Sequence, residues 1–152
     1  PGTFDLVAAG GNHLYVTRGT DIVDATTKTT FAQTGKVDHL AATNDRIVWT
    51  QGTSLLFGTV APQVRNTLAT LPDVAEAVAA QGNRVAIALD SPGPVSRKLD
   101  EIRVYDTDAK GASTILGVVS ALAVGLKPIQ LAVVGPCVYV LHGGVVTVYR
   151  AP

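Results

Sequence analysis

The sequence of 152 residues carries 12 basic and 12 acidic side chains, which give a formal net charge of zero, and 47% of its residues are hydrophobic. This length is typical of one domain with a substantial core, and the hydrophobic content excludes a disordered chain. The balanced charge argues against a nucleic-acid partner, because such proteins carry a basic excess, and the single cysteine excludes an internal disulfide.

A related segment occurs four times along the chain, and this repetition is the strongest signal in the sequence. The copies cover residues 6–23, 40–56, 78–89 and 131–149. Ala8 and Ala41 are 33 residues apart, and so are Thr17 and Thr50. We therefore expect a single domain over residues 1–152, built from repeats at about 6–38, 39–75, 76–128 and 129–152.

Each repeat predicts a strand, a turn, a strand, a second turn and a third strand. The first turns are at residues 10–12, 43–45, 81–83 and 135–136, and the second turns are at 18–21, 51–54 and 142–144. Gly, Asn and Asp at these places accept the positive φ that tight hairpins need, and Val, Ile, Thr and Tyr dominate between them. A fourth strand is predicted at 29–34, 65–71 and 115–120, whereas the last repeat ends at its third strand, 145–149. No segment has the 3.6-residue period of an amphipathic helix, so we expect little helix.

The endings Tyr15-Val16-Thr17 and Val48-Trp49-Thr50 close the second strands of the first two repeats. Four-stranded antiparallel units with these endings and this spacing resemble the blades of bacterial β-propellers. The resemblance implies an all-β fold of four four-stranded blades, of which the last is incomplete. The nearly continuous apolar second strands suit sheets that lie between neighbouring sheets. The alanine pairs at 8–9, 41–42 and 79–80 suit innermost strands, where bulky side chains would clash.

The number of blades in the closed ring stays open, because propellers have four to eight blades and this chain predicts four. The ring is either compact and four-bladed or part of a larger one. The start at Pro1 and the lack of methionine favour a piece of a longer propeller. In a larger ring, either the rest of that protein or another copy of the chain, in a homo-oligomer, would pair with the open edge.

Little in the sequence indicates a reactive site. His13, His39 and His142 fall in different kinds of position and lack metal-ligand spacing, so we interpret each as a loop or strand-end histidine bonded to backbone. Cys137 opens an apolar strand, as a buried, inert thiol would. No nucleophile-elbow or phosphate-loop motif occurs. The longest apolar run, residues 115–126, is shorter than the about 20 residues that span a bilayer. We predict no catalytic residue, no metal, no cofactor and no membrane insertion.

The acidic residues of the repeat and the single tryptophan are interpreted as structural. Asp5, Asp38 and Glu76 each precede a repeated alanine by three residues, where a carboxylate bonds turn amides. The alternative for these three is a ring of carboxylates that binds a cation. Trp49 falls in a register that is apolar in all four repeats, which favours packing over a sugar-stacking role.

The segment that departs most from the repeat pattern is an insertion, residues 91–100, between the second and third strands of the third repeat. It contains prolines and clustered charges, and insertions in repeat proteins commonly map to the binding face. The predicted partner-contact residues are Ser91, Pro92, Arg97, Lys98, Asp100 and Glu101.

These observations favour a non-enzymatic propeller scaffold that binds a protein partner within a larger secreted or cell-surface protein. One alternative is a lectin-like propeller that binds a carbohydrate or small ligand in pockets lined by Arg18, Gln51 and His142. A second alternative is a propeller hydrolase or lyase. That enzyme would need at least two of the three histidines to converge with a carboxylate or a metal.

Overall fold

The computed structural model describes residues 6–31, 35–59, 64–90, 99–108, 113–120 and 130–151. Within these ranges the chain forms fifteen β-strands and no helix, so this part of the molecule has no helical segment long and apolar enough to cross a membrane. The strands form four antiparallel sheets that follow one another along the chain. The prediction of an all-β fold built from four repeated sheets is confirmed.

Strands lie side by side in sequence order within every sheet. The first sheet consists of β1 (Val7–Gly10), β2 (His13–Arg18), β3 (Asp21–Asp24) and β4 (Thr29–Phe31). The second consists of β5 (His39–Ala42), β6 (Arg46–Gln51), β7 (Ser54–Thr59) and β8 (Val64–Thr70). The third consists of β9 (Ala75–Gln81), β10 (Arg84–Asp90), β11 (Leu99–Asp106) and β12 (Ser113–Ser120). The fourth consists of β13 (Gln130–Val134), β14 (Cys137–His142) and β15 (Val145–Arg150).

The sequence pattern located the strands to within a few residues. The predicted fourth strands correspond to β4, β8 and β12, and the last sheet has three strands in the part of the chain that the structure describes. Residues 32–34 of the first predicted fourth strand lie outside the described residues. Two-residue turns join the second and third strands of three sheets, and Gly19 and Gly52 adopt φ of 60° and 53° there. That conformation suits glycine, because a Cβ disfavours it.

Small residues line the innermost strands, as the alanine register predicts. β1 contacts β5, β5 contacts β9, and β9 contacts β13, so the first strands of the four sheets converge. The closest approach is at Gly10, whose added Cβ would overlap the carbonyl oxygen of Thr43 and lie 2.8 Å from the Thr43 nitrogen. A side chain larger than hydrogen at Gly10 would therefore force β1 and β5 apart.

Each sheet packs one face on the next sheet along the chain, and we call this side its forward face and the opposite side its backward face. In the second strands, the forward positions are Tyr15, Val48, Ala86 and Tyr139, and the backward positions are the residues that follow each of them, Val16, Trp49, Ile87 and Val140. Each contact between consecutive sheets thus joins a forward face to a backward face.

Three apolar layers result from this stacking. Between the first and second sheets lie Tyr15, Ile22 and Phe31 against Ile47, Trp49 and Leu56. Between the second and third lie Val48, Leu55 and Phe57 against Val85, Ile87 and Leu89. Between the third and fourth lie Ala86, Ala88, Ile102 and Val104 against Val133, Val138 and Val140. Burial of each large apolar side chain contributes about 1.5–3 kcal/mol, so these layers supply the main stabilisation.

Replacement of Gly10 with alanine tests the close approach of the innermost strands. We expect Gly10→Ala to lower the free energy of unfolding by about 1–3 kcal/mol, because the new methyl group meets rigid backbone of Thr43. Chemical denaturation measures this change. Ala9→Ser is the matched control, since it adds one atom to an exposed side chain of the same strand and should change stability by less than about 0.5 kcal/mol. Equal effects of the two variants would contradict the proposed contact.

Candidate functional site

The predicted ligand residues and the two predicted partner residues that the structure describes belong to one end of the sheets. We call this the second-turn end, because it holds the turns between second and third strands at residues 18–21, 51–54 and 142–145. Arg18, Gln51 and His142 each close the second strand of a different sheet there. Neither pocket described below is lined by these three residues, so the lectin-like interpretation stays a prediction.

The third sheet departs from the other three at this end. β10 and β11 stay paired as far as Asp90 opposite Asp100, so the nine residues 91–99 connect these positions where the other sheets have two residues. The strand ends that flank the insertion, Asp90 and Asp100, therefore lie at the second-turn end, which also holds Arg18, Gln51 and His142. Four of the predicted partner-contact residues, Ser91, Pro92, Arg97 and Lys98, lie outside the described residues.

The two remaining predicted partner residues, Asp100 and Glu101, lie at the base of this hairpin, in β11. The Glu101 carboxylate accepts a hydrogen bond from Arg103 Nε, and both side chains are mostly buried. The hydrogen bond from Arg103 to Glu101 raises the pKa of the Arg103 guanidinium further above its ordinary value, although burial opposes this change. Glu101 thus supports the hairpin base, a role that sequence reasoning missed.

The opposite end of the sheets, the first-turn end, holds the turns between first and second strands. The turns of the first three sheets surround a pocket of about 360 Å³, lined by Ala9, Gly10, Gly11, Ala42, Thr43, Asn44, Asp45, Ala80, Gln81 and Gly82. The fourth sheet joins this end, because Gly135 donates its backbone N–H to Gln81 Oε1 at 2.6 Å. The lining combines glycine and alanine with the polar residues Thr43, Asn44, Asp45 and Gln81.

A polar tether links the second and third sheets near the first-turn end. Arg46 Nη1 lies 2.8 Å from an oxygen of Asp108 and also donates to the hydroxyl of Thr107. Asn83 Nδ2 donates to both oxygens of Asp106, at 3.0 and 2.9 Å. These contacts fix the end of β11 to its own sheet and to the second sheet.

His13 and Asp24 form the one close histidine–carboxylate pair in the described part of the chain, and they line a second pocket. His13 Nδ1 lies 2.6 Å from Asp24 Oδ2, and the His13 ring stacks on Tyr15 at a centroid distance of 5.9 Å. The pocket has a volume of about 180 Å³ and is completed by Thr27, Thr29, Phe31 and Ile47.

Asp24 is held by the turn that follows β3. Its Oδ1 accepts the backbone N–H of Thr26 at 2.9 Å, and its Oδ2 accepts the hydroxyl of Thr27 at 2.8 Å. Burial alone would raise the pKa of Asp24, but the hydrogen bonds from Thr27, His13 and the turn amides outweigh it and lower the pKa. For Tyr15, burial is the larger cause of a raised pKa, and the negative charge of Asp24 adds to it.

The histidines do not converge. His39 Nε2 lies 2.9 Å from the carbonyl oxygen of Ala75, in agreement with the backbone-bonded interpretation, and His142 lies in the fourth sheet. His13 differs from the prediction because its partner is the Asp24 carboxylate. The hairpin register, with Tyr15 opposite Asp24, was readable from the turn at 18–21 and would have placed Asp24 near His13.

The structure also locates the remaining residues that the sequence analysis discussed, Asp38, Trp49 and Cys137. Asp38 Oδ2 accepts the backbone N–H of Gly52 at 2.7 Å, as expected for a turn residue, while Asp5 lies outside the described residues. Trp49 is fully buried and meets Phe31 edge-on at 5.7 Å. Cys137 is only half-buried, because it lies on the forward face of the fourth sheet. Among the described residues, no three His, Cys, Asp or Glu side chains are grouped as metal ligands.

No protein-family profile matches this sequence, and no curated protein matches it. Solved structures share its fold. The computationally designed Ika4 protein superposes with a TM-score of 0.64 at 13% identity, covering 99% of this chain and 92% of that one. The N-terminal domain of Nup159 has a TM-score of 0.54 at 13% identity over 93% of this chain and 40% of that one.

Two further structures extend this comparison. A complex in which Saccharomyces cerevisiae Dbp5 is bound to Nup159 matches with a TM-score of 0.53 at 11% identity, over 96% of this chain and 46% of that one. PorZ of Porphyromonas gingivalis, described as a bacterial surface component of the type IX secretion system, has a TM-score of 0.53 at 14% identity. The match covers 99% of this chain and 26% of PorZ, so the chain spans less than half of these natural proteins. At such identities the comparisons show the fold alone, and that fold is the β-propeller that the sequence predicts.

Substitution of Asp24 tests the turn-holding role of its carboxylate. Since hydrogen bonds lower the Asp24 pKa in the folded state, the charged form contributes stability above about pH 4 and that contribution disappears as the pH falls below it. We expect Asp24→Asn to lose about 1–3 kcal/mol at pH 7, and less at low pH. Urea denaturation across pH measures both quantities. Asp21→Asn, in the neighbouring turn, should cost less than about 0.5 kcal/mol, and a pH-independent loss for Asp24→Asn would contradict the assignment.

Proposed function

We propose that this chain is a non-enzymatic β-propeller scaffold that binds a protein partner at its second-turn end. The observation that carries the proposal is the position of the long hairpin. β10 and β11 keep a regular pairing up to Asp90 and Asp100, and the nine residues 91–99 connect these two positions. Loops carried by a rigid framework are the usual place for binding residues.

The composition of that hairpin supports a protein partner. Arg97 and Lys98 are followed, after Leu99, by Asp100, so both signs of charge occur within a short stretch. Such a mixture suits a polar protein surface better than a nucleic acid or a membrane, which select for basic residues. Among the fold neighbours, Nup159 occurs in a complex with Dbp5, and this precedent supports protein binding by the same fold.

The geometry of the His13–Asp24 pocket supports a non-enzymatic role. The Asp24 carboxylate accepts hydrogen bonds from Thr26 and Thr27, and its Oδ2 lies close to His13 Nδ1. These contacts account for the conformation of the Asp24 side chain without a substrate. The pocket of about 180 Å³ is also smaller than the roughly 300–1,000 Å³ of ligand sites. We therefore assign the pair to the architecture of the β3–β4 turn.

A secreted or cell-surface setting is the second part of the proposal. It is supported by the bacterial propeller resemblance and by the fold neighbour PorZ, which is a bacterial surface component. Fractionation of the native cells tests it: recovery of the protein in the medium or on the surface supports this setting, and recovery in the cytosol contradicts it.

Removal of the hairpin tip tests the proposed binding surface. Replacement of residues 91–99 with Asn-Gly joins Asp90 to Asp100 by a two-residue turn like those of the other sheets. Partners are first captured by cross-linking in the native cells and then purified for calorimetry. We expect the shortened variant to bind at least about tenfold more weakly, while its stability changes by less than about 0.5 kcal/mol.

Two further variants make this experiment specific. Arg97→Glu combined with Lys98→Glu should weaken binding by a similar factor without any change in loop length. Asn12→Ser, an exposed change at the first-turn end, should leave binding unchanged. Full binding by the shortened variant, or loss of binding in Asn12→Ser, would contradict the proposal.

A further inference from the structure

The fourth sheet exposes a face that is buried in the other three sheets. Strand pairing defines four equivalent forward positions in the second and third strands of every sheet: Tyr15, Thr17, Ile22 and Asp24; Val48, Thr50, Leu55 and Phe57; Ala86, Ala88, Ile102 and Val104; and Tyr139, Leu141, Val146 and Val148. The first twelve residues are buried, whereas all four residues of the last set are exposed.

The contrast is largest in the third strand. Ile22, Leu55 and Ile102 are each 0% exposed, whereas the equivalent Val146 is 58% exposed. The residue at this position is apolar in all four sheets. The fourth sheet therefore has a side chain suited to burial that is not buried within one copy. Exposed apolar patches of this kind mark interaction surfaces.

The first sheet exposes the complementary side. Leu14 lies on its backward face and is 42% exposed, whereas the equivalent Ile47, Val85 and Val138 are each 1% exposed. Val7, on the same face in β1, is exposed as well, while Val16 between them is buried. One copy therefore presents a free forward face at one end and a free backward face at the other.

The way in which consecutive sheets pack indicates which surface can cover each exposed end face. In all three internal layers a forward face packs on a backward face, with the first strands converging on small residues. The two end faces of one copy leave each other exposed, so they do not close the ring on themselves. A second copy supplies both missing surfaces, and the zero net charge of the chain means that two copies do not repel.

We propose that two copies of this chain assemble head to tail, the forward face of the fourth sheet of each copy packing on the backward face of the first sheet of the other. The two contacts are related by a twofold axis and close a ring of eight sheets. Eight lies within the usual range of propeller blades, so the closed ring needs no unusual geometry. This assembly is independent of the partner surface proposed above, because the hairpin at residues 91–99 belongs to the third sheet.

Sedimentation velocity of the chain tests the assembly. We expect twice the mass of the monomer at micromolar concentration. Val146→Asp and Leu14→Asp should each weaken dimerisation at least about 100-fold, because each places a charge in both contacts. Val74→Asp is the matched control, since Val74 is also exposed but lies in the turn before β9, and it should remain dimeric. Because these side chains already meet water, the variants should fold, which circular dichroism checks; Val148→Lys and Val7→Lys form a second pair.

A mixture of the two Asp variants tests the head-to-tail arrangement. Val146→Asp has an intact backward face and Leu14→Asp has an intact forward face, so one of the two contacts survives when the variants are combined. We expect a one-to-one complex in the mixture, although each variant alone is monomeric.

Several results would overturn the proposal. A monomeric wild-type chain at about 0.5 mM would show that these faces are covered by another protein or by further sheets of a longer chain. A dimer that Leu14→Asp leaves intact would show that two forward faces meet each other. A mixture that stays monomeric, or a wild type that forms open chains instead of dimers, would also contradict the closed ring.

Discussion

Stacking of forward faces on backward faces is the constraint on which the rest of this structure depends. A sheet in the middle of the stack must bury both of its sides, so its second strand is apolar at consecutive positions, as in Val48 and Trp49. Convergence of the sheets at one side then suits the alanine pairs at 8–9, 41–42 and 79–80 in the innermost strands. At Gly10 only hydrogen fits, because backbone of the next sheet occupies the place of a side chain.

The same constraint explains where the polar contacts of the described residues lie and where we expect binding. The apolar layers occupy most of each sheet, so polar groups are confined to the two ends. There they hold turns together, as Asp24 and Asp38 do, or tie sheets to one another, as Arg46 does with Asp108. A framework of this kind leaves its loops free to vary, and among the described sheets the third has the longest connection between its second and third strands.

Much of the fold was predictable from sequence because the signals are local. Glycines at the second turns, with alternation of strands and turns at a near-constant spacing, determine the strands and their pairing. Three register shifts in the described strands, such as the one between Leu55 and Leu56, have no comparable local signal in the sequence. The Arg46 tether was also missed, since it joins residues far apart in sequence.

The two end faces show most clearly that the repeated sequence pattern does not predict which residues are exposed. Val146 and Ile102 have the same register and nearly the same chemistry, yet one is exposed and the other is buried. The sequence pattern is the same whether a sheet face is covered or not. Only the three-dimensional arrangement shows which faces are covered within one copy. The pairing of His13 with Asp24 is an intermediate case. The position of the turn determines the register of the hairpin, and that register brings the two residues close together.

Nuclear Overhauser contacts in the isotope-labelled protein test the stacking of the sheets most directly. The account predicts contacts from the Phe31 ring to the α-protons of Gly58, and from Gly10 to Thr43, each joining the first sheet to the second without backbone hydrogen bonds between β4 and β5. Absence of these contacts, or amide contacts that pair β4 with β5 in one continuous sheet, would show a barrel or sandwich instead and would contradict the stacked arrangement.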